Sequence, residues 1–479
     1  MNNIIKKYKE MSKPIKASLW FTICSVIQKI ISLITVPIFT RILTTEQYGI
    51  YTLYLSWHDL IIIFTSLGLY NAIINKAMIK FEDDKNGVIS SFVGITTILT
   101  IIVFVLFYVN ADIATKITGL SLPMIIVLFV DLLFTPSLAF WMAKERFEFK
   151  YVKVILITLL IAVCNPLLGL IGVCLTDYKA EARIFSVALV NILSGVFFYF
   201  YFIIKGKKMF NWKYWKYALS FNLPLVPHYL SGAILNQSDR VMINYYCSSE
   251  DAAIYGVAYT IAMTAIIVVN AVNASMTPWV FKTLSKNNDD IGNSIEKVMN
   301  ESLVLILLIV VLLILFAPEV LMIMGGTEYI KAIWVFPFVA GSVFFIYLYS
   351  RFADVEFYYD KNIYVLISSL FSALLNIVLN YIAIPMFGYV AAGITTFICY
   401  IVQSILNYIF MKKTIKSKGI LRIYDVKFIV GISLFIVILC LISILLYYKF
   451  ILRYLIICLI ILYLVYKRKI FISLIKKKL

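Results

Sequence analysis

The sequence predicts an all-α polytopic membrane protein with fourteen transmembrane helices, arranged as two six-helix bundles plus two C-terminal helices. Composition is the first observation behind this prediction. The 479 residues are 62% hydrophobic and only 14% charged, whereas soluble domains average about 45–50% apolar and about 25% charged residues. The other two observations are a series of apolar windows and an internal repeat that divides these windows into two halves. Composition alone excludes a soluble enzyme, a disordered chain and a disulfide-stapled secreted module.

Fourteen windows could each cross a membrane as a helix, since a span needs about 20 predominantly apolar residues. Most of the chain lies in these windows, which leaves no room for a soluble catalytic domain. Only Tyr448, Lys449 and their neighbours separate the last two windows. In chain order the windows lie near 17–39, 48–70, 88–109, 120–143, 151–174, 183–204, 217–237, 252–275, 299–317, 332–350, 362–384, 389–411, 428–448 and 450–466.

Positive charge orients the predicted helices. The net charge is +18, from 43 Lys and Arg residues against 25 Asp and Glu residues. With the N-terminus in the cytosol, the cytosolic segments hold 34 of the cations and the external segments hold eight, as the positive-inside rule requires. Both termini are therefore predicted to be cytosolic. Because the cations flank apolar segments, we expect the lipid bilayer and not nucleic acid as their partner.

Seven scattered cysteines and a basic N-terminus bear on cofactors and targeting. The cysteines form no CxxC pair, so we predict no metal site and no redox cofactor. The N-terminal stretch MNNIIKKYKEMSKPIK is basic and lacks a small-residue cleavage site. We interpret it as the cytosolic start of the first helix and not as a removed signal peptide.

A weak internal repeat follows the first and the seventh windows. Six windows separate the two copies, so both halves have the same orientation, as in a parallel transporter repeat. The repeat predicts an N-terminal lobe at 1–210, a C-terminal lobe at 211–413 and two additional helices with a basic tail at 414–479. Arg41 also matches Arg240 if five residues are inserted in the second copy. The aligned positions are Glu46 with Glu250, Ile50 with Ile254 and Tyr51 with Tyr255.

Three charged residues fall at mid-depth in the windows of the first lobe: Lys29, Asp59 and Asp131. A charge at the bilayer centre costs at least a few kcal/mol unless it is paired or hydrated. Lys29 and Asp59 could form a buried pair between consecutive helices. Alternatively, Lys29 attracts an anionic headgroup while Asp59 or Asp131 takes a coupling proton or sodium ion. The second lobe has no matching charge at this depth.

Two histidines and two prolines are further candidates. His58 adjoins Asp59, but neighbours on a helix point about 100° apart, so we predict no metal site there. Pro224 and Pro227 precede His228 in the seventh window, and prolines at that spacing predict a kink. The kink could gate transport or only serve packing.

The remaining candidates are cations and amides. Arg41 and Arg240 are expected to end the first and seventh helices at the outer face, where they either stabilise the helix dipole or contact phosphate. Amides including Asn236, Asn270 and Asn273 could bind sugar hydroxyls or bond helix to helix.

Several stretches resemble the polysaccharide-transport branch of the multidrug/oligosaccharidyl-lipid/polysaccharide (MOP) exporter superfamily, the flippases of O-antigen and capsule synthesis. The matching stretches span much of the chain and occur in the expected order. Each stretch alone is too variable to identify a family, so the resemblance depends on all of them together. The stretches are RILTTEQYGIY (41–51), LGLYNAIINK (67–76), FNLPLVPHYLSGAILNQSDRVMI (221–243), 254–259, PWVF (278–281) and LMIMGGTEYIKA (321–332).

The resemblance implies a MATE-like fold, with two six-helix lobes around a V-shaped cavity and alternating access. It also implies a lipid-linked (undecaprenyl-pyrophosphate) oligosaccharide as the substrate, moved across the bacterial cytoplasmic membrane. Related flippases line the cavity with cations, and the position that looks equivalent here is Lys29. The implied partners are a polysaccharide polymerase and glycosyltransferases, and the chain is expected to function as a monomer.

Two alternatives stay open. A cation-coupled multidrug exporter of the same superfamily would use acids such as Asp59 and Asp131, although Lys29 opposes it. A membrane glycosyltransferase or polymerase would need catalytic carboxylates near a membrane face. Asp354, Glu356 and Asp360, placed after the tenth window, are the one cluster of that kind in the sequence, and we interpret them as a solvated acidic loop.

Overall fold

The computed structural model describes residues 12–285, 291–418 and 423–466, and every regular element in these ranges is an α-helix or a short 3₁₀ segment. The helices are α1 (Lys13–Ile42), α2 (Thr45–Ser66), α3 (Ala72–Lys80), α4 (Lys85–Val109), α5 (Ala111–Thr118), α6 (Leu122–Phe147), α7 (Tyr151–Leu175), α8 (Lys179–Gly206), α9 (Trp212–Asn222), α10 (Val226–Tyr246), α11 (Ser249–Ala262), α12 (Ile266–Leu284), α13 (Ile291–Leu315), α14 (Ala317–Met324), α15 (Phe336–Tyr358), α16 (Asn362–Phe387), α17 (Tyr389–Ser417), α18 (Val426–Tyr447) and α19 (Phe450–Tyr466). The prediction of an all-helical chain is confirmed.

Within the described ranges, 11 segments are long and apolar enough to cross a membrane, so the chain is a multi-pass membrane protein. The predicted number of fourteen spans and the six-plus-six arrangement remain predictions. The windows at 48–70, 217–237 and 450–466 are not among the 11. Polar residues lower the hydropathy of α2 and α10, and α19 has only 17 residues.

The chain divides into two compact units, Met1–Ala253 and Ile254–Leu479. In the first unit α6 packs along α8, and α2 packs along α10. In the second unit α17 packs against both α15 and α16, while α13 packs against α15 and α18. The helices α9 and α10 thus belong by their contacts to the first unit. The lobes at 1–210 and 211–413, which follow the repeat and not the contacts, stay a prediction.

Aliphatic and aromatic side chains form the core of the first unit. One cluster includes Phe92, Phe140 and Phe202, and another includes Leu53 and Leu128. Large apolar side chains also cover the outer surface, as expected for helices that contact lipid rather than water. On α7 this surface follows the helical repeat, with Val152, Leu156, Leu160, Val163 and Leu167 all exposed.

The end of α2 fixes how α10 lies against it. The chain turns after Ser66 through Leu67 and Gly68, both in the left-handed region with φ of 50° and 63°. A Cβ on Gly68 would lie 2.7 Å from the ring of Tyr229, so glycine is required both for the turn and for the approach of α10. Asn222 Nδ2 donates to the carbonyl oxygen of Leu67. These contacts place the polar residues of α10 beside those of α2.

The seventh window is a broken helix and not a single kinked one. Pro224 lies in a 3₁₀ turn between α9 and α10, and Pro227 lies in the first turn of α10. Proline is tolerated at that position because its missing N–H would have no helical partner there. His228 follows on the exposed side of α10. A gating role for this break remains a prediction.

Candidate functional site

Asp131 is the most deeply buried acid of the first unit. It lies in α6 and is fully buried. Its Oδ1 accepts a hydrogen bond from Thr135 Oγ1 at 2.5 Å, and its Oδ2 accepts one from Asn191 Nδ2 of α8 at 3.2 Å. Both donors are neutral. Because a buried carboxylate is stable only with a compensating charge or a proton, this group needs a titratable or cationic neighbour.

That neighbour is His58 of α2. Its Nε2 lies 3.8 Å from Asp131 Oδ2, and its Nδ1 lies 3.5 Å from Asp59 Oδ1. The ring is nearly buried, while the Asp59 side chain is 54% exposed. Although the two residues are neighbours on one helix, the Asp59 carboxylate reaches the near edge of the His58 ring. Asp131, His58 and Asp59 are hereafter the His58 cluster.

The cluster continues onto α10 through Gln237. Gln237 Nε2 donates to Asp59 Oδ2 at 2.8 Å. Its Oε1 accepts hydrogen bonds from Ser56 Oγ at 3.1 Å and from Arg240 Nη1 at 2.6 Å. An unbroken series of polar contacts therefore joins buried Asp131 on α6 to Arg240 on α10. Gln237 was not among the candidates, although the polar run from Asn236 to Arg240 in an apolar window was a usable signal.

The structure does not contain the Lys29–Asp59 pair, which was one of the two alternatives for these residues. Asp59 contacts His58 and Gln237, whereas Lys29 is exposed and forms no ion pair with any residue in the described ranges. The cause is packing: α1 lies chiefly along α7 and only touches α2. Lys29 remains an exposed cation near the middle of a 30-residue helix, surrounded by exposed isoleucines such as Ile27 and Ile30.

Arg41 and Arg240 were both expected to end their helices, and this was wrong for Arg240. Arg41 lies in the last turn of α1 and is exposed. Arg240 lies inside α10, which continues to Tyr246, and it is buried with its guanidinium on Gln237. Arg183 of α8 was not among the candidate residues, because it was counted with the eight external cations. Arg183 is buried, donates to Tyr51 Oη at 3.0 Å and stacks over Phe39 at 4.1 Å.

The three asparagine candidates also differ in their exposure and in their contacts. Asn236 and Asn270 are exposed on α10 and α12. Asn273 instead belongs to a buried network of the second unit, where its Oδ1 accepts from Arg351 Nη2 at 2.8 Å. The first unit thus exposes polar groups on two adjacent helices, Asp59 on α2 with His228 and Asn236 on α10. Such a surface suits water or a polar headgroup, not lipid tails.

The predicted solvated acidic loop after the tenth window was wrong for two of its three residues. Helix α15 extends to Tyr358 and buries Asp354 and Glu356, whereas Asp360 lies in an exposed turn. Arg351 Nη1 pairs with Asp354 Oδ2 at 2.8 Å, so the second unit does hold a buried cation. Thr277 Oγ1 donates to Asp354 Oδ1 at 2.9 Å. Neighbouring helices cover these charges, which the sequence alone could not show.

The described residues contain no group of three or more His, Cys, Asp or Glu side chains placed to hold a metal ion. The His58 cluster offers two carboxylates and one imidazole, whose two nitrogens face different carboxylates at distances longer than a strong hydrogen bond. What the arrangement can bind is a proton, shared among three titratable side chains.

Comparison with known proteins shows the family. Residues 15–284, more than half of the chain, match the model of the family described as "Polysaccharide biosynthesis protein". Residues 224–382 match the MatE family model. The chain is similar to "Lsg locus putative protein 1" of Haemophilus influenzae, with 23% identity over 361 residues, which cover 73% of this chain and 86% of that protein.

Two solved structures share the fold. "Lipid II flippase MurJ, inward closed conformation" matches with a TM-score of 0.71 and 15% identity, covering 95% of this chain and 100% of that one. An inward-facing multidrug resistance MATE family transporter of the MOP superfamily matches with a TM-score of 0.59 and 14% identity, covering 84% and 99%. The MATE-like fold expected from the sequence is confirmed. The chain therefore belongs to the polysaccharide biosynthesis protein family.

Proposed function

We propose that this protein is a flippase that moves an undecaprenyl-pyrophosphate-linked oligosaccharide from the inner to the outer leaflet of the bacterial cytoplasmic membrane. It would serve the synthesis of a surface polysaccharide, with both termini in the cytosol. The observation that carries the proposal is the family match over residues 15–284. The MurJ-like fold, found over 95% of the chain, supports it.

Physical chemistry supports the same substrate class. A pyrophosphate with several sugars cannot cross hydrocarbon unaided, because each unpaired polar group removed from water costs kilocalories. The first unit exposes Lys29, Asp59 and Asn236 on helices that otherwise present large apolar side chains. An exposed cation and exposed polar groups on such apolar helices fit a hydrated path for an anionic headgroup, while the polyprenyl tail stays in lipid. Two six-helix lobes opening alternately to either side would complete the path.

The membrane potential can supply energy for export. Moving two negative charges outward across about 100 mV gains roughly 4–5 kcal/mol. Coupling to a proton or sodium ion at Asp59 or Asp131 would add to this, and the His58 cluster favours the proton. We further propose that the chain acts as a monomer, beside the glycosyltransferases that build its substrate and the polymerase that uses its product.

A cation-coupled multidrug exporter is the second candidate, because residues 224–382 match the MatE model. A membrane glycosyltransferase or polymerase loses its support, since Asp354 and Glu356 are buried and face no solvent.

Deletion of the gene separates these candidates. In a deletion strain we expect surface polysaccharide to disappear while its lipid-linked precursor accumulates on the cytosolic side, where added glycosidase reaches it only after the membrane is permeabilised. Drug susceptibility should not change. An unchanged surface polysaccharide together with increased drug susceptibility would favour the exporter, and loss of the precursor itself would indicate a synthetic enzyme.

A further inference from the structure

The His58 cluster holds a buried carboxylate with no permanent cation beside it. Asp131 has two neutral donors, Thr135 and Asn191, and the charges that act on the His58 ring are those of Asp131 and Asp59. Two negative charges around a neutral imidazole would leave Asp131 uncompensated in a low-dielectric interior. A single proton bound by the cluster removes this penalty.

No other helix packed on α2 supplies a competing charge to the ring. Helix α10 contributes Arg240, which contacts Gln237 instead, and the buried Asp239 beside it, and neither acts on the ring. Helix α8 contributes Arg183, which bonds Tyr51, about two turns before His58 in α2. The single charged residue of α4 is Lys85, at its beginning, and Lys29 of α1 forms no ion pair in the described ranges. The proton balance of the cluster therefore rests on its own three side chains.

His58 is the member that can link both acids. A neutral imidazole donates from one nitrogen, whereas the protonated ring donates from both, and each nitrogen faces a different carboxylate, at 3.5 and 3.8 Å. Both distances exceed a good hydrogen bond, so protonation would shorten both contacts at once. The exposed Asp59 side chain gives the proton a route from water and back to it.

Gln237 connects this proton to the position of α10. Its Oε1 accepts from Ser56 and Arg240, so its Nε2 must be the end that faces Asp59. The reversed amide would place NH₂ against a guanidinium. A protonated ring holds one carboxylate oxygen of Asp59 while Gln237 holds the other. Without the ring's charge, Asp59 can turn to water and its bond to α10 weakens.

We propose that His58 is a proton-binding residue, and that its proton fastens α10 to α2 through Asp59 and Gln237. We call this contact of His58, Asp59 and Gln237 the latch, and in it Gln237 is a positioning residue. The latch is a property of the first unit alone, while its use in coupling a proton to glycan export rests on the proposed function.

The test measures the α2–α10 distance by electron paramagnetic resonance in lipid nanodiscs. Spin labels replace the exposed side chains Phe64 of α2 and Tyr245 of α10, in full-length protein whose seven native cysteines are serine. We expect one narrow distance population at pH 5.5 and a second, broader one at pH 8.0, with their ratio changing at least tenfold. The H58Q variant should show the same ratio at both pH values.

Two further variants keep the test decisive. Gln237→Leu should give the broad population at both pH values, even if H58Q does not fold. His228→Gln removes the chain's other histidine and should keep the wild-type pH response. A pH-independent distance in the wild type, or a pH response that persists in H58Q, would overturn the latch. The measurement needs no substrate. If the protein shows the latch but flips no glycan, the proposed function is refuted and the latch is not.

Discussion

Replacing Lys29 with alanine is expected to lower surface glycan display roughly 30-fold or more while the protein stays in the membrane. Lys29 is an exposed cation near the middle of α1, and a hydrogen bond between charged groups contributes about 1.5–3 kcal/mol. A loss of 2 kcal/mol is about 30-fold at 1.4 kcal/mol per factor of ten. Labelled surface glycan, normalised to immunoblotted protein in a complemented deletion strain, measures the effect.

Charge, and not side-chain shape, is the property that matters at this position. Lys29→Arg keeps the charge and should retain most display. Lys449→Ala, at an exposed position between α18 and α19, is the matched control for loss of a lysine and should display normally. Normal display in Lys29→Ala would remove this residue from the path of the headgroup.

Breaking the buried ion pair of the second unit is expected to cost about 3–5 kcal/mol of stability. Arg351 and Asp354 are both buried; Arg351 Nη2 donates to Asn273 Oδ1, and Asp354 Oδ1 accepts from Thr277 Oγ1. Arg351→Met or Asp354→Leu alone leaves an uncompensated buried charge. Changing both removes the two charges together, so the double variant should lose less stability than either single variant. Unfolding of the purified protein in detergent measures these differences.

The control for this pair is Asp360→Asn. Asp360 lies in an exposed turn just beyond α15, and substitutions at such surface positions usually change stability by less than about 0.5 kcal/mol. Single variants as stable as the wild type, or a double variant whose loss equals the sum of the two, would show that the pair does not stabilise the second unit.

Apolar runs allowed the helices to be predicted, because the length and hydropathy of a membrane span are set by the bilayer and not by the tertiary fold. Helix ends in contact with other helices were less predictable. The tenth window stopped at 350 because Arg351, Asp354 and Glu356 read as a loop, yet neighbouring helices bury them. A hydropathy pattern cannot distinguish charge that meets water from charge that meets a buried partner.

Contacts between helices were the least predictable part of the site. A Lys29–Asp59 pair was one possibility because their helices are consecutive, but α1 packs on α7, and Asp59 contacts Gln237 from a distant part of the sequence. Asp131 could be singled out from the sequence because an acid inside an apolar window is costly whatever its partners are, and the structure buries it. The partners themselves depend on packing, which one sequence does not reveal.

The most direct test of the account uses purified protein in liposomes that contain a fluorescent undecaprenyl-pyrophosphate oligosaccharide. A membrane-impermeant quencher reports how much labelled headgroup lies in the outer leaflet over time. We predict that wild-type protein relocates the headgroup to the opposite leaflet, that an outward-directed driving potential speeds this movement, and that Lys29→Ala slows it about 30-fold or more. Wild-type liposomes in which the labelled glycan stays in its original leaflet at the rate of protein-free vesicles would contradict the account.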